Sequence, residues 1–206
     1  MTAIIAYAEQ DYAFVAGDSK RVLGLYPTVK LHTWGSQVVF AQSGNATHLS
    51  KCIGMMCAFR GSMWGTDLAD FHTAFSSQQP IWHAQAVSAR ATNPSIDTNG
   101  VLLVADAASG MVTKFEFGTG TNSCVPSPAA SGDPATQPSM IIAWGNGRKD
   151  LDGWAYDSIN PLCGTVASID LPIDLLISRP ATNGQFVIGT RLINVSTPSL
   201  PLFSVT

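Results

Sequence analysis

Thr2 stands directly after the initiator Met, and it is the residue whose position could by itself support chemistry. A small residue after Met1 favours removal of the Met, which leaves Thr2 with a free α-amine. An N-terminal Thr then holds a nucleophile and a base in one residue. The hydroxyl attacks a carbonyl, and the amine, with a reference pKa of about 7.7–8.0, takes its proton. A Ser or Thr elsewhere in a chain normally needs a neighbouring His for this step. If Met1 stays, the Thr2 nitrogen is an amide and has no such role. Many proteins begin Met-Thr, so Thr2 matters only through the residues brought beside it.

Three further positions give it that context. The second apolar run ends Ala16-Gly17-Asp18-Ser19. In an antiparallel hairpin this end returns to the start of the first run, which carries Asp18 beside Thr2. A third run opens at Lys30, one of only five Lys in the chain. A Lys⁺ beside an N-terminal amine lowers the amine pKa by like-charge repulsion and stabilises the deprotonated hydroxyl; Asp18 orients and neutralises that Lys. The fourth run ends Ser43-Gly44-Asn45 before a helical pattern, where the Gly44 N–H can donate to an oxyanion.

Other constellations are absent. The sequence has no GxGxxG, P-loop, HExxH or GxSxG. His32, His48, His72 and His83 are scattered, and Asp67 with Asp70 reads as a charged helix start. Cys52, Cys57, Cys124 and Cys163 form no CxxC pair and are expected to be free thiols in a reducing compartment. No metal or other cofactor is expected.

The elements that must position these residues follow from periodicity. Residues 3–8 and 12–17 are nearly continuous apolar runs around Glu9-Gln10-Asp11, which predicts a hairpin buried on both faces. After a polar loop over 18–28, strands are expected at 29–34 and 37–42. Asn45 is the expected N-cap of a helix over 46–60. A second helix over 66–78 carries Leu68, Phe71 and Phe75 on one face, and a third segment over 81–91 follows a break at Pro80. Strands at 101–107 and 111–117 flank Ala108-Ser109-Gly110. Residues 118–139 form a long Gly/Pro/Ser/Thr-rich connection, functional or mobile in character. A strand at 140–144, helices at 148–158 and 168–179, and a strand at 185–192 complete the pattern. Strands come in blocks and helices in pairs, which predicts a single α+β domain over 1–206, with two mainly antiparallel sheets stacked between helix layers.

Composition bounds the partners. Charged residues are 12% of the 206 and the formal charge is −3, which leaves no basic footprint for nucleic acid or an anionic membrane surface. No apolar run is long enough to span a membrane. The N-terminus lacks the basic region of a signal peptide, so a cytoplasmic location is expected. Sparse charge with five Trp and nine Phe points to a homo-oligomer that hides part of its surface.

The spacing of these residues resembles the proteasome β-type subunits, a family of N-terminal nucleophile (Ntn) hydrolases. The family places an Asp sixteen positions after its catalytic Thr, as Thr2 and Asp18 are placed here, and a Lys fourteen positions before its oxyanion-hole Gly, as Lys30 and Gly44 are placed here. The VLLVAD…G…KFEF and IIAWGNG segments resemble the family's later strands. The likeness is good over 2–50, fair over 100–147 and weak beyond. Among the branches, the minimal bacterial ones are most similar, such as the beta-proteobacterial proteasome homologue. The resemblance implies a four-layer αββα sandwich, stacked homo-oligomeric rings, and a threonine peptidase acting on peptide or unfolded-protein substrates in an inner chamber. An ATP-dependent unfoldase is the partner implied for folded substrates. Gln42, two before Gly44, is implied as the floor of the substrate pocket, with Lys20 and Val22 in its lining.

The sequence also departs from the family pattern. Asn146 stands where members carry the Ser of a Gly-Ser-Gly turn near the N-terminal amine; it can hydrogen-bond but its proton shuttling is in doubt. The family's Asp-x-x-Ser-Gly finds its nearest match in Pro180-Ala-Thr-Asn183-Gly184, with the Asp replaced by Pro180. These departures motivate one alternative, a ring-forming structural or binding protein whose catalysis has decayed. A second alternative is an Ntn amidohydrolase on a small amide, needing no closed chamber.

Overall fold

The computed structural model describes residues 4–18, 30–44, 54, 67–95, 98, 100–117, 127–128, 143–144 and 173–193. Ten strands and one helix are defined among them. In chain order they are β1 (Ile4–Glu9), β2 (Tyr12–Asp18), β3 (Leu31–Trp34), β4 (Val38–Gly44), α1 (Leu68–Thr92), β5 (Gly100–Asp106), β6 (Met111–Phe117), β7 (Ser127–Pro128), β8 (Ala143–Trp144), β9 (Ile173–Pro180) and β10 (Phe186–Ile193).

The strands form two five-stranded sheets. Sheet I has the order β10-β9-β2-β1-β8 and sheet II the order β3-β4-β5-β6-β7. Every pairing is antiparallel except β1 with β8, which is parallel through Ala6↔Ala143 and Tyr7↔Trp144. The architecture is therefore α+β with two mainly antiparallel sheets, as the block pattern of strands predicts.

Period-two alternation decides which face each residue serves. Ile4, Ala6 and Ala8 of β1, Ala13 and Val15 of β2, and Leu176 of β9 meet Val39, Ala41, Val101, Leu103, Ala105 and Val112 of sheet II in one buried cluster. This is the core between the sheets, and its small residues on sheet I let the two backbones approach. The opposite face of sheet II holds Trp34, Val38, Phe40, Leu102, Val104 and Phe115, packed against Phe71, Ala74, Phe75 and Trp82 of α1. Edge-to-face contacts link the two elements there, with Phe71 5.4 Å from Trp34 and 5.1 Å from Phe40 between ring centroids. β1 and β2 are buried on both faces because each of their apolar runs serves two layers.

Two expectations about helices need correction. Pro80 does not break the chain into two helices: α1 runs through it as one 25-residue element. The Pro80 ring is on the exposed side, while Phe75 and Trp82, both fully buried and 5.3 Å apart, hold the flanking turns against sheet II. Burying two large aromatic side chains stabilises by about 1.5–3 kcal/mol each, which offsets the roughly 3 kcal/mol cost of an interior Pro. Asp67 caps the helix start, its carboxylate accepting from the Asp70 N–H at 2.9 Å.

The second correction is larger. Part of the segment expected as a helix over 168–179 is a strand, β9, central in sheet I between β2 and β10. The run IDLLIS is apolar on two sides because both of its faces are covered: Leu175, Leu176, Ile177 and Ser178 are all buried. A short apolar run of this kind fits a helix or a doubly buried strand equally well by periodicity. Pro172 and Pro180 bound it closely, which favours the strand.

Of the helix expected over 46–60, the described residues include only Gly54, which is helical. The helix expected over 148–158 lies outside the described residues, as do all four Cys. Within the long 118–139 connection, Ser127–Pro128 forms the short strand β7 on the edge of sheet II. Among the described residues no helix is long and apolar enough to cross a membrane.

The hairpin turns share one end of the sandwich. The Asp11 N–H donates to the Ala107 carbonyl at 2.9 Å, and the Ala107 N–H donates to the Gln37 carbonyl at 2.9 Å. The Gln10 side-chain amide donates to the Ala108 carbonyl at 3.2 Å. Ser178 on β9, buried, donates its hydroxyl to the Ser36 carbonyl at 2.5 Å. These bonds tie the β1–β2, β3–β4 and β5–β6 turns to each other and to the last part of β9, whose turn to β10 continues at the same end. The other strand ends, those of Ile4, Asp18, Leu31, Gly44, Gly100 and Ile173, accordingly lie at the opposite end.

Candidate active site

The end opposite the hairpin turns collects the described candidate residues. In sheet I, β1 and β2 pair from Glu9↔Tyr12 to Ile4↔Gly17. The β2 strand ends one residue later at Asp18, while Ile4 is two positions after Thr2 in sequence. The hairpin that the sequence predicts is thus formed in the register that carries Asp18 to the chain's beginning.

In sheet II, Lys30 and Gln42 are brought together. The Gln42 backbone N–H donates to the Lys30 carbonyl at 2.9 Å, which extends the β3–β4 register one step beyond Leu31↔Ala41. Lys30 is half-buried. Gln42 is buried, 2% exposed, and lies opposite Leu102 of β5. Alternation puts both on the face of sheet II shared by His32, Trp34 and Phe40. A buried amide among aromatic and aliphatic neighbours gives this face a polar point where the rest of the core has none.

Gly44 closes β4 and pairs with Gly100. Its φ is 135°, a conformation that L side chains rarely adopt and that Gly enters freely. The backbone there turns out of the ladder, two residues beyond Gln42. A Gly in such a conformation at a strand end can present an N–H to a ligand oxygen in place of a strand partner.

Across the sandwich, β2 packs against β3 and β4, and β3 also packs against β9. Asp18 on sheet I and Lys30, Gln42 and Gly44 on sheet II therefore border one end of the space between the sheets. Thr2, Asn146, Lys20 and Val22 lie outside the described residues.

One sequence assignment is overturned here. Pro180 was matched to the family's Asp, and Asn183 to its Ser, on the expectation that a helix precedes them. They lie instead at the end of β9 and in the β9–β10 turn, where the Gly184 N–H donates to the Ala181 carbonyl at 2.8 Å. Seven residues of strand separate Pro180 from Ile173, the partner of Asp18, about 23 Å at strand rise. Pro180 and Asn183 belong to the turn end and have no part in a site at the other.

Two residues at the open end were not singled out from sequence. Asp174 is exposed and pairs with Gly17; assigning its segment to a helix concealed it. Thr98 precedes Gly100 by two positions and is 2% exposed, its hydroxyl without a hydrogen-bond partner among the described residues. Nothing in the local sequence marks Thr98 out from other polar residues before a strand.

Compared with known proteins, the chain matches no family model and no curated protein.

Proposed function

We propose that the chain is a threonine peptidase of the proteasome β type, built as a four-layer αββα Ntn sandwich. The observation that carries this reading is the convergence of Asp18, Lys30, Gln42 and Gly44 at one end of two stacked sheets, the end at which β1 starts two residues after Thr2. Residues from four different strands are involved, and their spacing in sequence is the spacing that the resemblance turns on.

In the proposed reaction Met1 is removed first. The Thr2 hydroxyl then attacks the scissile carbonyl carbon, and its proton passes to the Thr2 α-amine. The tetrahedral oxyanion accepts from the Gly44 N–H. Collapse breaks the C–N bond, and the ammonium returns the proton to the leaving amine. This leaves an ester on Thr2. Water, deprotonated by the same amine, hydrolyses the ester and restores the hydroxyl. Lys30 supplies positive charge beside the hydroxyl and the amine, and Asp18 holds Lys30. Asn146 hydrogen-bonds near the amine. Gln42 floors the pocket for the substrate side chain, with Lys20 and Val22 at its wall. The chemistry calls for no metal or cofactor. Stacked homo-oligomeric rings, peptide or unfolded-protein substrates, an ATP-dependent unfoldase and a cytoplasmic setting belong to the same reading.

A decayed ring drew on two departures, Asn146 and Pro180. With Pro180 at the turn end, only Asn146 still speaks for it. The experiment is turnover of a mixed set of fluorogenic peptides by wild type, Thr2→Ala and Thr2→Ser. The reading predicts cleavage by wild type, loss in Thr2→Ala and partial retention in Thr2→Ser. Equal cleavage by Thr2→Ala and wild type overturns it.

A further inference from the structure

Asp174 stands out at the open end because of its row. Across sheet I, Leu192, Asp174, Gly17 and Ile4 are successive cross-strand partners on β10, β9, β2 and β1. Cross-strand partners share a face. Ile4 belongs to the core between the sheets, as does Leu176, two residues after Asp174 on the same face of β9. Ser178, two residues further on, reaches across to Ser36 of sheet II. Asp174 is therefore on the face of sheet I that looks toward sheet II. It is exposed where Leu175, Leu176, Ile177 and Ser178 are all buried, so it stands at the mouth of the inter-sheet space. Between it and the Ile4 position is Gly17, which has no side chain.

The other described carboxylates have other settings. Glu9, Asp11 and Asp106 lie at the turn end, and Asp106 is committed to its own turn through Ser109 at 2.6 Å and the Ala108 N–H at 3.1 Å. Asp67 and Asp70 are at the start of α1. Glu116 pairs with Lys114 on β6. Asp18 shares the open end but follows Gly17 by one residue, so alternation gives it the other face of sheet I. Asp174 is thus the acidic position on the inner face of sheet I at this end.

We propose that Asp174 is a specificity residue that draws a Lys or Arg of the substrate peptide to the open end of the sandwich; this rests on the peptidase reading given above. Two strand spacings separate Asp174 from Ile4, and two strand residues separate Ile4 from position 2. With about 4.8 Å per strand and 3.3 Å per residue, the backbone positions of Asp174 and an extended residue 2 are roughly 12 Å apart. That is too far for the carboxylate to touch the reacting atoms. It suits the combined reach of a carboxylate and a long basic side chain on a substrate residue close to the scissile bond. The lane over Gly17 leaves room for such a side chain. Lys30 supplies its positive charge from sheet II, so a basic substrate residue is repelled from that side and directed to sheet I.

The test uses the full chain and fluorescein-labelled heptapeptides of Ala and Ser that carry one Lys, placed at each position in turn, with Lys→Gln counterparts. Affinities are measured by anisotropy at low and moderate salt for wild type, Asp174→Asn, Asp174→Glu and Glu116→Gln. The proposal predicts that one Lys position binds wild type about five- to tenfold more tightly than its Gln counterpart, less so at higher salt. Asp174→Asn loses that preference, Asp174→Glu keeps most of it, and Glu116→Gln, with the same change of net charge, keeps it. A wild type that binds Lys and Gln peptides alike overturns the proposal. So does a preference that survives in Asp174→Asn or disappears in Glu116→Gln. Binding does not require the nucleophile, whereas acylation of Thr2 by an uncharged electrophile does not require Asp174's charge preference. The two readings can therefore fail separately.

Discussion

Gly110 and Gly184 separate two costs that a Gly→Ala substitution can carry. Both have positive φ, +67° and +78° respectively, and both sit in hairpin turns. They differ in their surroundings. A Cβ at Gly110 meets the Gln10 nitrogen and the Glu9 carbonyl carbon, each at 2.9 Å, whereas a Cβ at Gly184 meets nothing within 4 Å. Gly184→Ala therefore carries the backbone term alone, about 1–2 kcal/mol. Gly110→Ala adds a collision with the backbone of the β1–β2 turn, which cannot rotate away as a side-chain end can. An overpacking cost of about 1–3 kcal/mol is expected on top, for a total near 2–5 kcal/mol. In a domain of this size each kcal/mol lowers the Tm by roughly 2–4 °C. Calorimetric melts should then show Gly184→Ala down by about 2–8 °C and Gly110→Ala down by about 4–20 °C, with Gly110→Ala the lower of the two in the same buffer. Equal melting temperatures for the two variants would refute the close approach of the turns, and with it the argument that the turns fix one end of the sandwich and leave the other for the site.

Other predictions address the site and the helix. Lys30→Ala should lower the rate of Thr2 acylation by about 100-fold or more, and Lys30→Arg should not restore it, because the planar guanidinium does not reproduce a compact ammonium; time-resolved intact mass reads both. Pro180→Asp, which restores the residue type that the family motif would require, should leave the acylation rate unchanged, because Pro180 is at the turn end; a rate increase would return it to the site. Pro80→Ala should raise the stability of the folded chain by about 1–3 kcal/mol, measured by urea denaturation, since it removes an interior helix Pro from an exposed position while the buried Phe75 and Trp82 remain. A loss of stability would mean that the Pro is needed for the path of α1.

Much of the architecture is legible in the sequence because its signals are local. The β1–β2 and β5–β6 hairpins announce themselves by two apolar runs around a short polar turn. Asp67 announces the start of α1 by its place before an apolar period. Where reading from sequence failed, the decisive term was tertiary. Pro80 reads as a helix break because its intrinsic cost is visible, while the burial of Phe75 and Trp82 against sheet II is not. IDLLIS reads as a helix because an apolar run buried on two faces has no period of its own, and only its pairing with β2 and β10 distinguishes it. That single error carried two others with it: it placed Pro180 in the site and hid Asp174. Within the site, the spacings from Thr2 to Asp18 and from Lys30 to Gly44 are sequence facts, but the pairing of Lys30 with Gln42 through a backbone hydrogen bond, and the open lane at Gly17, required the sheets.

The most direct test of the central claim is an intact mass of freshly purified protein, before and after an electrophile selective for N-terminal Thr, with the adduct located by fragmentation. The account predicts loss of Met1 and one stoichiometric adduct on Thr2. A retained Met1, or a free Thr2 that takes no adduct, would contradict it.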